Sequence, residues 1–302
     1  MRIVLDTAYP AAAAALEGSQ HFFRLHQGKL AEVRALSESE AATYADGLRS
    51  ARSYNAGEQM LAASEKNYDE FAETYVELHR NEPTTEAAKA RASELAAAVN
   101  RRLINYLSTM RLYLDAIEAR LERFHGQDSN VYRAFRDACK HEFDTYCSYR
   151  FAYKLRNYAQ HLGMPISHIR TNASQEHAGD PIEFAADISF NARELLAEGG
   201  DIWGPVRRDL ERASESIAVL TVFGDFPNHL RRIRNAVLAV ERPFLEKLKA
   251  SVSELLDCVP SGPGVRQIGE YVDADGRLAI DFVDSVHALL GTLQPAIVDD
   301  EE

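Results

Sequence analysis

Arg156, Asn157 and His161 stand near the end of an amphipathic stretch, Val131 to Pro165, whose other face is apolar. An imidazole with its ordinary pKa near ~6.5 exchanges a proton at neutral pH, and a guanidinium clamps phosphate oxygens through paired N–H donors. Together they offer a metal-free route to RNA cleavage. A base takes the proton of a ribose 2′-OH while a cation holds the charge that builds on phosphorus. One histidine and one arginine are few groups for two proton transfers. A two-fold dimer that set two copies of the strip face to face would double them.

The stretch itself predicts one long helix. Phe135, Cys139, Phe143, Cys147, Phe151, Leu155, Tyr158 and Leu162 follow each other in steps of three and four. At about 100° per residue, Leu155, Tyr158 and Leu162 fall within about 60° of one another. Arg156, Asn157 and His161 fall on the far side, spread over about 140°. Asn157 and His161 form an i,i+4 pair, and Asn157 is a poor mid-helix residue by propensity. Arg150 and Tyr153, with Lys154 beside them, are candidate substrate contacts along the same strip.

The run Arg156-Asn157-Tyr158-Ala159-Gln160-His161 resembles the Arg-polar-x-x-x-His motif of HEPN domains, an all-helical superfamily that includes many prokaryotic ribonucleases. Its place is similar too, late in a long helix that follows a long helical hairpin. The resemblance spans about Tyr68 to Pro165 and implies a helical bundle that dimerises with two motifs facing a shared cleft. It implies metal-independent endoribonuclease activity, often in toxin–antitoxin, abortive-infection or antiphage systems. Carried over, Arg156 contacts the scissile phosphate, His161 is the acid–base group and Asn157 orients one of them. The implied partners are an RNA substrate, a second copy of the chain, and an antitoxin or defence-system partner. Some HEPN proteins bind nucleotides or serve as scaffolds without cutting RNA. A non-catalytic member that binds nucleotide, RNA or protein is therefore an alternative. So is a structural helical adaptor, in which His161 serves a local bond at the helix end and Arg156 a surface ion pair.

The elements that must position these residues are legible from caps and periodicity. His21 to Leu25 and Leu30 to Leu36 read as a hairpin around Gln27-Gly28. Ser37 with Glu40 opens a helix to about Leu78, and Tyr54 to Gly57 reads as a break in it. Thr84 or Thr85 caps a second helix to about Phe124, and Gly126 to Ser129 turns into the amphipathic stretch. Beyond Pro165 come a polar loop and a strand from Ile182 to Phe190. A short helix capped by Asn191 follows, then another helix capped by Asp201 with apolar positions Leu210, Ile217, Leu220 and Val222, and a helix from Phe226 to Leu256 that Pro243 kinks or interrupts. Val265 to Val272 and Arg277 to Val283 flank Asp275-Gly276 as a second hairpin, followed by a weak helix and an acidic tail. The fold class expected is mainly α: an elongated antiparallel helical bundle with small β hairpins at the N- and C-terminal parts. Its expected divisions are 1–36, 37–168 (HEPN-like bundle) and 169–302.

Composition narrows the class further. Three cysteines form no disulfide framework or metal-spacing pair, and His141-Glu142 begins no zinc motif, so no metal and no cofactor is expected. The cysteine usage suits a cytoplasmic location. No run of eighteen apolar residues is present to span a membrane, and the first residues lack the charged start of a leader. The net charge of −12 argues against a general nucleic-acid coat. It is unevenly spread: Ser129 to Arg170 holds seven Lys/Arg against three Asp/Glu, and Val252 to the end two against eleven. Arg231, Arg232 and Arg234 form a second basic patch, either an extended RNA path or a solvated helix face.

Overall fold

The computed structural model describes residues 2–4, 18–27, 29–77, 84–166, 168–177, 179–180, 183–258, 265–274, 277–282, 290 and 293. The chain begins with β1 (Arg2–Val4) and the hairpin β2 (Gln20–His26) and β3 (Lys29–Ala35), with Gln27 at a positive φ of 47° in the turn. Ser37 and Glu40 form a reciprocal capping box. The Ser37 N–H donates to the Glu40 carboxylate at 2.8 Å and the Glu40 N–H to Ser37 Oγ at 3.3 Å. The Arg34 guanidinium holds both Glu40 oxygens and, with the Ser37 N–H, sets that carboxyl down to about 2.

From this cap α1 (Glu38–Glu77) runs unbroken for 40 residues, about 60 Å. The interruption suggested at Tyr54 to Gly57 is absent. Tyr54 is buried, and a Cβ on Gly57 would meet Ile117 Cδ1 at 2.7 Å, so the glycine permits a close helix approach. α2 (Thr85–His125) is capped by Thr84, whose Oγ1 accepts from the Ala87 N–H at 3.1 Å. Gly126 and Ser129 then turn the chain into α3 (Asn130–Thr145), followed by α4 (Cys147–His161).

The single helix expected from Val131 to Pro165 is thus two helices. Tyr146 is extended at φ −106° and ψ 117°; its N–H closes α3 on the Glu142 carbonyl and its carbonyl accepts the Arg150 N–H. Thr145 to Ser148 are weak helix formers. Tertiary contacts then select the break: the Tyr146 ring lies 4.8 Å from the His229 ring and takes the Arg232 guanidinium over its face at 4.6 Å. The break shifts the phase of the apolar stripe, leaving Cys147 exposed. Leu162, the α4 C-cap, is 48% exposed.

The segment that reads as a polar loop contains β4 (His168–Ser174), antiparallel to β5 (Glu183–Asn191). Its composition hid it because it is an edge strand whose described side chains are exposed. Asn191 caps α5 (Ala192–Gly199) by accepting from the Arg193 and Glu194 N–H groups. The single helix expected from Asp201 through Val222 is instead a 3-10 helix (Gly200–Val206), α6 (Arg207–Arg212), β6 (Ser216–Ala218) and α7 (Val219–Phe223), and Ile217 lies in the strand. α8 (Phe226–Asp257) runs through Pro243 as one helix, so the proline does not interrupt it. β7 (Val265–Ala274) and β8 (Arg277–Phe282) form the C-terminal hairpin. Its Asp275-Gly276 turn, the weak helix and most of the acidic tail lie outside the described residues.

The contacts divide the chain into two compact units, Met1–Ala56 with Glu241–Gln294, and Gly57–Val240 with Pro295–Glu302. The first holds a five-stranded antiparallel sheet in the order β1-β8-β7-β2-β3. The terminal hairpins therefore pair with each other, Phe22 opposite Ile268. The second is a helical bundle with a small sheet in the order β4-β5-β6. Its core is centred on α2, whose Val99, Leu103, Tyr106, Met110, Tyr113 and Leu121 are all buried. The fold is mainly α, with small antiparallel sheets beside the helices.

Candidate functional site

In the second unit α4 is held rigidly along its inner face. Trp203 is stacked against Phe151 at 5.7 Å and Tyr158 at 5.6 Å, and its indole N–H donates to the Leu195 carbonyl at 2.5 Å. Ala152 and Leu155 are fully buried beneath. Past the helix end, Asn100 of α2 clamps the Ile166 backbone, donating to its carbonyl at 2.8 Å and accepting from its N–H at 3.0 Å. Both sides of the last turn are therefore fixed to the core, which holds its outward residues in place.

Those outward residues are Arg156, Asn157 and His161. Arg156 and Asn157 are half-buried and His161 is exposed. The Arg156 guanidinium donates to Gln160 and, at 3.5 Å, to Asn157 Oδ1. It borders a recess of about 200 Å³ lined by Ile104, Leu107 and Ser108 of α2 with Ala159 and Gln160. Among the described residues Arg156 bonds only neutral acceptors, and His161 has no hydrogen-bond partner. By contrast, Arg136 and Lys140 each sit against a carboxylate. An uncompensated guanidinium and an open imidazole thus flank Asn157, a pairing suited to an anion and a proton transfer. In the sequence the signal for Gln160 is its i,i+4 spacing from Arg156.

The three candidate substrate contacts do not share one surface. Arg150 is bonded twice to Asp209 of α6, Nε to Oδ2 at 2.6 Å and Nη2 to Oδ1 at 3.0 Å. Those bonds hold the Asp209 carboxyl below its ordinary value, so the guanidinium is already committed. Lys154 lies on the 3-10 helix side, where a Cβ on Gly204 would come within 3.6 Å of its ammonium. Tyr153 faces α2 instead: its hydroxyl bonds Arg111, whose guanidinium sits 5.1 Å from the ring centre.

A second cluster has no local sequence signal. Glu142, almost fully buried, accepts from His229 Nδ1 at 2.5 Å and Arg232 Nε at 3.0 Å. Ser148 Oγ bonds His229 Nε2 at 2.9 Å, and Asp225 bonds Arg232 at 3.2 Å. Burial pushes the Glu142 carboxyl up, but the bonds from His229 and Arg232 outweigh it and leave the carboxyl below its ordinary value. The neighbouring Arg231 and Arg234 reach Glu65 and Glu58 of α1, each at 2.7 Å. The arginine patch read from the sequence is therefore a set of ion pairs joining α8 to α1 and α3.

The second unit is thus a helical bundle with a buried Arg/His ion-pair network, compatible with a composite charged site. Among the described residues no group of three or more His, Cys, Asp or Glu is placed to hold a metal ion. No helix among them is long and apolar enough to cross a membrane. No family model, curated protein or solved structure matches the chain.

Proposed function

We infer that the protein is an HEPN-like, metal-independent endoribonuclease whose site is composed from two copies of the α4 strip. The observation that carries this reading is the combination at the end of α4. Among the described residues the Arg156 charge faces no carboxylate, His161 is open to solvent, and both stand on a turn locked to the core. A purely structural role would favour acidic partners on both residues and closure from solvent. Leu162, Met164 and Ile169, which follow His161 in the chain and are 48%, 61% and 42% exposed, offer apolar surface for the second copy.

In this reaction His161 takes the proton from the ribose 2′-OH and the 2′-oxygen attacks phosphorus. The P–O5′ bond breaks, and the imidazolium contributed by the second copy returns a proton to the leaving 5′-oxygen. Arg156 holds the non-bridging oxygens as charge builds. Asn157, bonded to Arg156, limits the directions the guanidinium can take. The products carry a 2′,3′-cyclic phosphate and a 5′-hydroxyl. This chemistry fits a toxin or antiphage component acting in the cytoplasm, restrained by a partner that covers the strip.

The test is cleavage of single-stranded RNA in EDTA by wild type, Arg156→Ala and His161→Ala, with the product ends identified. Wild type cleaves without divalent metal, and each substitution lowers the rate by about 10²–10⁴-fold. Undiminished cutting by His161→Ala removes the assigned base. Binding of RNA or nucleotide with no turnover favours the non-catalytic reading, to which the recess beside Arg156 also lends itself.

A further inference from the structure

A second, larger opening lies along the same α2–α4 seam, and none of the chemistry above uses it. It has a volume of about 390 Å³ and is bounded by α2, α3 and α4. Leu114, Phe135 and Tyr149 are buried and form its floor. On one wall the Phe143 and Tyr153 rings meet edge to face at 6.1 Å and 89°, making an aromatic corner. Arg111 lies over the Tyr153 face at 5.1 Å. At the rim, Arg136 and Lys140 project from one face of α3 at i,i+4 spacing, with side chains 61% and 73% exposed.

We propose that this cleft binds a ribonucleotide, with the base against the Phe143–Tyr153 corner and the phosphate between Arg136 and Lys140. A flat aromatic base matches the corner because every base has a π face that stacks on an aromatic ring. The volume falls in the range of small-ligand pockets of about 300–1,000 Å³. Arg136 now pairs with Glu118 at 2.7 Å and Lys140 with Asp144, but exposed pairs of this kind are held weakly, and a phosphate dianion displaces such carboxylates. Asp115, Glu118 and Asp137 also line the opening. They accept hydrogen bonds from ribose hydroxyls and base amino groups, and they repel a longer polyphosphate. Cys139 is on the wall, but burial pushes its thiol up to about 12, so the ligand is held without covalent capture.

The position of the cleft links it to the strip. Tyr153 precedes Arg156 by three residues, about 4.5 Å of helix rise, and Arg111 follows Ser108 of the Arg156 recess by the same step on α2. If the endoribonuclease reading holds, on which this part rests, the nucleotide in the cleft is the neighbour of the scissile phosphate in a bound RNA. A free mononucleotide has the same chemistry and is the other source.

Calorimetry on the full chain with adenosine monophosphate, ribose 5-phosphate, inorganic phosphate and an RNA oligomer blocked by 2′-O-methylation separates these cases. The mononucleotide binds at least tenfold tighter than ribose phosphate or phosphate alone, which reports the base. Tyr153→Leu and Lys140→Ala each weaken it by about tenfold, and Tyr153→Phe, which keeps the ring, retains most of the binding. Lys140 is exposed, so its substitution tests the phosphate position without touching the core. Equal affinity for phosphate and mononucleotide, or indifference to both Tyr153→Leu and Lys140→Ala, overturns the proposal. RNA cleavage with no nucleotide binding removes the cleft and leaves the ribonuclease reading standing. Nucleotide binding with no cleavage does the reverse. A blocked oligomer that binds tighter than the mononucleotide and loses that gain with Tyr153→Leu places RNA, not free nucleotide, in the cleft.

Discussion

Taking the Glu142 carboxylate out of water costs several kcal/mol unless its partners replace the lost hydration. His229, with a fully buried side chain, and Arg232, one-quarter exposed, do so from a helix 87 to 90 positions away in the chain. Glu142→Gln keeps the shape but removes the negative charge that faces Arg232 and the His229 N–H, and removing one partner of such a buried pair costs about 3–5 kcal/mol. Urea unfolding at pH 7 therefore shows a loss of about 3 kcal/mol or more; a loss under ~1 kcal/mol would show that the cluster does not hold the break. The pH dependence follows from the direction of the shift. The folded pKa lies below the ordinary value of 4.5, so the stabilisation is present above 4.5 and is lost as pH falls through the lower folded value. The gap between wild type and Glu142→Gln accordingly narrows on acidification below about 4.5. In the sequence Glu142 was visible only as the neighbour of His141 in an incomplete zinc motif, because its partners are remote.

At the scale of elements, α4 depends on the small helices that pack against it. Trp203 fills the space between α4 and α5, stacked on two aromatic rings and bonded to the Leu195 carbonyl. Gly199 lets it fit: a Cβ there would clash with the indole, coming within 2.8 Å of Cε2 and closer still to Nε1. Gly199 has an ordinary helical conformation, so the glycine is needed for space and not for backbone freedom. The stacked indole has no room to retreat, and Gly199→Ala lowers stability by about 1–3 kcal/mol through overpacking. Trp203 is the sole tryptophan, so its fluorescence reports the change directly as a red shift of emission. An unshifted spectrum with unchanged stability would show that the indole relocates freely. The α5 cap at Asn191 was legible, since donor and acceptor lie within three residues. The α3–α4 break was not, because the steps of three and four in the apolar stripe continue across Tyr146 while the contact that bends the chain comes from α8.

For the molecule as a whole, the proposed site is incomplete in one copy, which holds one Arg156 and one His161. A composite site of two copies makes activity depend on the square of the wild-type fraction when wild type and His161→Ala subunits exchange freely. An equal mixture then retains about a quarter of the activity of undiluted wild type, and about a half if each copy acts alone. The same measurement with size-exclusion chromatography shows whether activity and dimer dissociate together on dilution. Net charge is a poor guide at this scale. The chain carries −12, and the basic surplus around α3 and α4 is partly spent on Arg136–Glu118, Lys140–Asp144 and Arg150–Asp209. Only the structure separates these carboxylate-paired cations from Arg156, whose acceptors are neutral.

The sequence by itself determined the two terminal hairpins, the caps at Ser37, Thr84 and Asn191, the turn from Gly126 to Ser129, and the long α1 and α2, because each rests on hydrogen bonds or periodicity within a few residues. It also placed Arg156, Asn157 and His161 on the outer face of a helix. Tertiary structure alone decided that the hairpins pair through β2 and β7, that the chain breaks at Tyr146, and that Arg150 and Lys154 part company with Tyr153. Those outcomes turn on partners far away in the chain, such as Ile268, His229, Asp209 and Arg111, and no local pattern encodes which of many equally polar or apolar groups will be brought into reach.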